Sequence, residues 1–322
     1  MFPIPESITS KYKLIKPIGS GSIGNVSLFE NKTNKEQIVI KSILKVQLEE
    51  EKIQKIRNEI NYMRQFSKYE NSTKLIDCIE DDYNIYLLME YCELNLDEYV
   101  KKRMNEKKPL NINEIKDILV QLNNILKIMF SNKIAHRDLK PSNILLKKID
   151  DNNFIFKLCD YGNAKNVNNN IQSSFKGTAI FKAPEILNNN KNYDPIKADL
   201  WCIGIIIYFM LKGEYPFISD VDINKEKNKL GIKITNSNEL NDLFKKLTIY
   251  NPEKRISFID YFNNPFFNFK KNIKIVFLGG PYCGKTCIIN KICLNTFNVE
   301  CPTTVGFGVN VKLYINLYKF RL

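Results

Sequence analysis

Three glycines in PIGSGSIGNVSLFE, Gly19, Gly21 and Gly24, keep the spacing G-x-G-x-x-G. That spacing serves a dinucleotide site, a loop that cradles phosphates, or an ordinary turn. A dinucleotide site needs a strand before the glycines and a helix after them. Here YKLIKPIG and GNVSLFEN are β-prone on both sides, so the stretch reads as a hairpin able to close over a nucleotide. A second phosphate motif stands far along the chain. GGPYCGKT, from Gly279 through Gly284 to Thr286, has the form G-x-x-x-x-G-K-T, after an apolar strand-like run and before an apparent helix. In that context the amides at the helix start suit an anion, Lys285 reaches the β- and γ-phosphates, and Thr286 binds Mg2+. Pro281 removes one N–H from the loop.

These residues need elements to hold them. EQIVIKSIL is expected as a third strand, whose alternation puts Val39 and Lys41 on one face. In EEEKIQKIRNEINYMRQF the period changes: Ile53, Ile56, Ile60 and Met63 recur at steps of three and four, an amphipathic helix. TKLIDCIED and NIYLLMEY follow as strands. From about residue 95 the pattern is mainly helical, and INEIKDILVQLNNILKIMF carries one apolar stripe for about five turns. NILLKK and IFKLCD are short strands around the turn IDDNN, and the rest up to Phe269 alternates loops and helices. A strand lobe followed by a helix lobe leaves a cleft between them, where ligands favour binding.

Composition narrows the classes. The chain of 322 residues has room for one large or two ordinary domains, and 44% hydrophobic with 26% charged residues excludes a disordered chain. A net charge of +13 admits nucleic acid or an anionic membrane. The lysines are scattered among asparagine and acidic residues with no basic block interleaved with aromatics, so no nucleic-acid partner is expected. LWCIGIIIYFML, from Leu200 to Leu211, is too short to span a bilayer; a buried helix and no membrane insertion are expected. Cys78, Cys92, Cys159, Cys202, Cys283, Cys287, Cys293 and Cys301 form no C-x-x-C pair, and MFPIPESITSKYK lacks the regions of a signal peptide. Reduced thiols in a cytoplasmic protein are expected, a nuclear one being compatible too. Oligomeric state stays open.

AHRDLKPSNILL, from Ala135 to Leu146, joins the glycine hairpin to IVIK, DYG, GTAIFKAPE, ADLWCIG and NPEKRIS in a fixed order. With these motifs residues 12 to about 268 resemble the eukaryotic protein kinases. The resemblance implies an α+β bilobal fold, a β-rich N-lobe over 1–90 and a helical C-lobe over 91–268, with ATP and Mg2+ as cofactors and proteins as substrates. It implies nucleotide contacts along Ile18, Gly19, Ser20, Gly21, Ser22, Ile23, Gly24, Asn25 and Val26, and at Glu90 and Cys92, with Val26 over the adenine. Lys41 is implied to grip the α- and β-phosphates, paired with Glu59. Asp138 takes or orients the proton of the substrate hydroxyl, Lys140 neutralises the γ-phosphate, and Asn143 and Asp160 hold Mg2+. Thr178 against the catalytic loop, Glu185 paired with Arg255, and Asp199 and Trp201 under the loop are implied to be structural.

The lysine of DLKPSN resembles the serine/threonine enzymes. Tyr161 replaces the phenylalanine of D-F-G, which keeps the packing and adds a hydroxyl needing a partner. Val39, where alanine is usual, and Ile23, where an aromatic is usual, also depart from the pattern. The alternative they leave is a nucleotide-binding pseudokinase scaffold. His136 is implied to pack inside, and Cys159 is expected as a small core residue, with a reactive thiol as the alternative. Arg137 beside Asp138 can be ordered by a phosphate on NAKNVNNNIQSSFKGT, where Ser173 and Ser174 are the nearest candidates.

Residues 272–322 resemble the beginning of Ras- and Rab-like small GTPases, with CPTTVGFGVNVKLYINLYKF as a first switch and Thr304 as its metal-sensing residue. Neither D-x-x-G nor N-K-x-D follows. Residues 269–322 are therefore expected as a partial P-loop α/β segment, truncated or degenerate, too small for a comfortable core and not expected to hydrolyse GTP. A nucleotide switch run by this segment is the remaining alternative.

Overall fold

Alternation in the first ninety residues builds a five-stranded antiparallel sheet. Strands β1 (Tyr12–Gly21), β2 (Gly24–Asn31), β3 (Gln37–Leu44), β4 (Leu75–Glu80) and β5 (Asn84–Glu90) lie in the order β1-β2-β3-β5-β4. The computed structural model describes residues 4–21, 24–150, 153–167, 179–187, 193–217 and 233–268. The chain divides into two compact units, Met1–Phe266 and Phe267–Leu322, and the elements named here belong to the first.

Ile38 and Ile40 of β3 join Phe29, Tyr86 and Leu88 in a buried cluster, closed by Ile8 of the short helix α1 (Glu6–Thr9). The period of two sends Val39, Lys41 and Ile43 to the opposite face. Helix α2 (Glu50–Phe66) buries Ile56, Glu59, Ile60, Met63 and Phe66, so its apolar stripe carries one carboxylate inward. Register shifts in β1 between Leu14 and Lys16 and between Pro17 and Gly19 bend the strand as it nears the glycines, and Pro17 sits at such an irregularity, where a missing N–H is tolerated.

After β5 the chain turns helical. Helices α3 (Leu96–Asn105) and α4 (Ile112–Ser131) both start on capping boxes, Asn95 with Glu98 and Asn111 with Glu114, each satisfying two orphan donors. The α4 stripe from Ile115 to Phe130 is buried. Helix α5 (Pro184–Leu187) is short, and α6 (Pro195–Lys212) takes up the apolar run read from the sequence. Asp194 caps α6 by accepting the N–H groups of Ile196 and Lys197, and Gly213 ends it at φ 72°. No described helix is long and apolar enough to cross a membrane. Helices α7 (Asn238–Leu247) and α8 (Phe258–Phe262) follow.

Five short strands complete the frame. Strands β6 (Leu94–Asn95), β8 (Ile144–Lys148) and β9 (Phe154–Leu158) form one small sheet, and β7 (Ile134–Ala135) pairs with β10 (Lys165–Asn166) in another. The expected β-sheet lobe and helical lobe are both present. The two-residue strands were not expected, because a period of two needs more residues than they have.

Candidate active site

The loop from His136 to Asn143 runs between β7 and β8 and is held from within by α6. Asp199, 1% exposed, accepts the backbone N–H of His136 at 2.7 Å and that of Arg137 at 2.9 Å. Burial pushes its carboxyl up to about 7, against the downward pull of those two bonds and of Arg137. His136 is fully buried. Its Nδ1 accepts the N–H of Asp138 at 3.3 Å, and its Nε2 lies 3.0 Å from the carbonyl oxygen of Cys159. Nε2 must therefore carry the proton, in a neutral ring. Burial lowers the ring's pKa, opposed by Asp160 and Asp138. With both nitrogens engaged, the ring joins the loop to the end of β9.

Asp138 sits between an ammonium and an amide. Lys140 Nζ donates to its Oδ2 at 2.9 Å, and Asn143 Nδ2 donates to the same oxygen at 3.1 Å and to the Asp138 carbonyl at 2.9 Å. These bonds point the nitrogen of Asn143 inward and leave its oxygen as the end suited to a cation. The N–H of Cys159 donates to the Asn143 carbonyl at 3.0 Å, which brings Asp160, an exposed carboxylate, next to the loop. An amide oxygen and a carboxylate are hard ligands. They fit Mg2+, which Asn143 and Asp160 would hold.

Lys41 Nζ lies 3.2 Å from Glu59 Oε1, with the two side chains 19% and 7% exposed. Burial alone would lower the Lys41 pKa; Glu59 and Asp160 outweigh it and raise it, so the ammonium keeps its charge. A Cβ built on Gly162 would stand 3.3 Å from both Asp160 Oδ1 and Glu59 Oε2, so a glycine lets the two carboxylates close on this turn. Tyr161 packs its ring 5.2 Å from Phe66 and 5.5 Å from His136. Its hydroxyl has its partner in Ser72 Oγ at 2.7 Å. No motif marks Ser72.

In the glycine hairpin Gly19 pairs with Val26, Ser20 with Asn25 and Gly21 with Gly24, while Val26 also faces Lys41 across β3. Ile18 is 42% exposed. Ser22 and Ile23, at the tip, lie outside the described residues. At the end of β5, Glu90 Oε1 accepts the N–H of Lys74 at 2.7 Å and faces Lys157 Nζ at 3.0 Å, and Oε2 accepts from Lys147 at 3.0 Å. Its side chain is thus engaged by protein, and its own N–H donates to the Lys74 carbonyl at 3.1 Å. Lys157, 2% exposed, was missed from sequence, although a lysine inside the apolar run FIFKL was a usable signal.

Burial pushes the Cys92 thiol up to about 12 and that of Cys159 well above its usual value. Cys159 is half-buried, and the raised value disfavours its thiolate form. Val39 pairs with Met89 across β3 and β5. Glu185 and Arg255 form a buried two-pronged pair at 2.7 and 2.9 Å, with the guanidinium 5.2 Å from the Trp201 ring centroid. Thr178, Ser173, Ser174, Gly279, Gly284, Lys285, Thr286 and Thr304 lie outside the described residues.

A strand lysine paired with a helix glutamate, together with an aspartate–asparagine loop and a metal-suited aspartate, defines the class of two-lobed nucleotide-dependent phosphotransferases. Within that class the chain belongs to the protein kinase family, whose protein kinase domain matches residues 12–267. It is similar to serine/threonine-protein kinase atg1 of Dictyostelium discoideum, 34% identical over 276 residues that cover 81% of this chain and 40% of that protein. Similarity also extends to serine/threonine-protein kinase unc-51 of Caenorhabditis elegans, 33% identical over 246 residues, 71% of this chain and 28% of the relative. Serine/threonine-protein kinase ULK3 of Xenopus laevis is 31% identical over 263 residues, 79% and 54% of the two chains. The chain thus matches only part of the length of each of these relatives.

Proposed function

We propose that the chain is an ATP-dependent protein kinase that transfers the γ-phosphate to serine and threonine hydroxyls of protein substrates. The observation that carries this is Asp138, held by Lys140 at 2.9 Å and by Asn143 at 3.1 Å, with Asp160 and the Lys41–Glu59 pair meeting at Gly162. In the reaction the substrate oxygen bonds to the γ-phosphorus while the bond from phosphorus to the ADP oxygen breaks. Asp138 receives or orients the hydroxyl proton, and the ammonium groups of Lys140 and Lys41 offset charge on the phosphate oxygens. Mg2+, when bound, neutralises charge on the phosphates. Lys140 in the loop and the serine/threonine names of the relatives support the acceptor class. The setting we propose is the cytoplasm, supported by the free thiols of all four described cysteines.

The test is transfer of labelled γ-phosphate from Mg-ATP to a serine-rich protein and to the chain itself, by the parent and by Asp138→Asn. The expected outcome is transfer by the parent and a fall of at least about a hundredfold in the variant, with ATP binding kept by both. Binding without transfer in the parent would replace this reading with that of a scaffold. For residues 269–322, the motif Gly279 to Thr286 supports a GTPase-like phosphate site, checked by guanine-nucleotide binding that Lys285→Ala abolishes.

A further inference from the structure

We propose that Ser72 is a positioning residue for Asp160, acting through the hydroxyl of Tyr161. This role rests on the kinase reading of the site. Ser72 is fully buried in the turn between α2 and β4, and its Oγ lies 2.7 Å from the Tyr161 hydroxyl. The other acceptor within reach, the Leu158 carbonyl at 3.3 Å, already takes the N–H of Thr73 at 3.0 Å and the Thr73 hydroxyl at 3.2 Å. Both lone pairs of that carbonyl are used. Ser72 is therefore the main partner of the phenol.

The turn that carries Ser72 is itself fixed. Asn71 Nδ2 donates to the Phe156 carbonyl at 2.9 Å, Asn124 Nδ2 donates to Asn71 Oδ1 at 2.9 Å, and the N–H of Leu158 donates to the Asn71 carbonyl at 2.9 Å. Lys157 Nζ donates to the Glu70 carbonyl at 2.6 Å. A hydroxyl mounted there is a fixed point. At the other end Asp160 takes φ 62° and ψ 69°, a left-handed conformation that is uncommon outside glycine and that the contacts around Tyr161 help to hold. Ring packing on Phe66 and His136 is non-directional and tolerates sliding, whereas a hydrogen bond at 2.7 Å fixes one point of the ring. Swinging Tyr161 out would leave the buried Ser72 hydroxyl without this partner, so the bond favours the arrangement in which Asp160 stands beside Asn143.

The experiment compares the full chain with Tyr161→Phe, Ser72→Ala and the double variant. Tyr161→Phe keeps the ring, and so carries the test even where Ser72→Ala fails to fold. Amide hydrogen exchange of the nucleotide-free protein is expected to speed up about fivefold over residues 159–163 in each single variant, the factor that one neutral hydrogen bond represents. The double variant should be no faster than the faster single, since both remove the same bond. The Mg2+ dependence of ADP binding, read by calorimetry, should shift to higher Mg2+ by at most the same factor of about five, with Mg2+-free ADP affinity unchanged. Unchanged exchange at 159–163 in Tyr161→Phe overturns the proposal, as do additive effects in the double variant, or a lower melting temperature with exchange and Mg2+ dependence unmoved. The exchange measurement needs no nucleotide, so absence of phosphate transfer by the parent would count against the kinase reading alone.

Discussion

His136 is the chain's one histidine, and both its nitrogens are occupied by backbone groups. Burial depresses its pKa below 6.5, Lys140 adding to the effect while Asp160 and Asp138 oppose it. The folded value lies below the unfolded one, so the stability this ring contributes is present above about pH 6.5 and is lost as pH falls through the depressed value. A single set of imidazole NMR signals makes this directly visible. We expect no titration of those signals near pH 6.5 in the folded chain; a midpoint at or above 6.5 would refute the neutral bridge. At this scale Asp138, Lys140 and Asn143 were legible because three functional types crowd into six residues. Ser72 was not, since it gains its meaning from a partner far along the chain, Tyr161; for Lys157 the apolar run FIFKL was a signal, but its partner Glu90 was not legible.

Glycines in one hairpin do different work. A Cβ on Gly24 would run into the Ser42 carbonyl oxygen of β3, a backbone atom that cannot step aside without moving the sheet, whereas a Cβ on Gly19 would meet nothing within 4 Å. Gly24→Ala should therefore destabilise the fold by about 1–3 kcal/mol in urea titration. Gly19→Ala should stay within about 0.5 kcal/mol of the parent, and on the proposed kinase function it is expected to weaken nucleotide binding. Equal losses of stability in the two would show that the glycines share one structural duty. Long elements were readable by their period, as in α2 with Ile56, Ile60 and Met63 and in α4 with Ile115 to Phe130. α1, β6, β7 and β10 are too short to show one, and only their neighbours in the fold reveal them.

Across the Met1–Phe266 unit, the end of the large sheet is tied to the small one by Glu90. Its partners differ in burial: Lys157 is 2% exposed at the side chain and Lys147 is 40%. Removing the carboxylate charge strands the buried ammonium, and breaking a buried pair from one side is far more damaging than losing an exposed one. Glu90→Gln should cost about 3 kcal/mol of unfolding free energy, and Lys147→Gln less than about 1 kcal/mol. Similar losses in the two variants would argue that Lys157 does not depend on Glu90.

Sequence by itself determined the long elements, through their local period, and marked Lys41, Asp138, Asn143 and Asp160 as candidates, through motifs that resemble those of the protein kinases. It also showed that the Tyr161 hydroxyl needs a partner. Only the tertiary structure decided which partner that is, that the Glu90 side chain serves two lysines, and that one of those lysines, Lys157, is buried. Those facts depend on contacts between distant segments and on exclusion of water, and neither exists until the chain has folded.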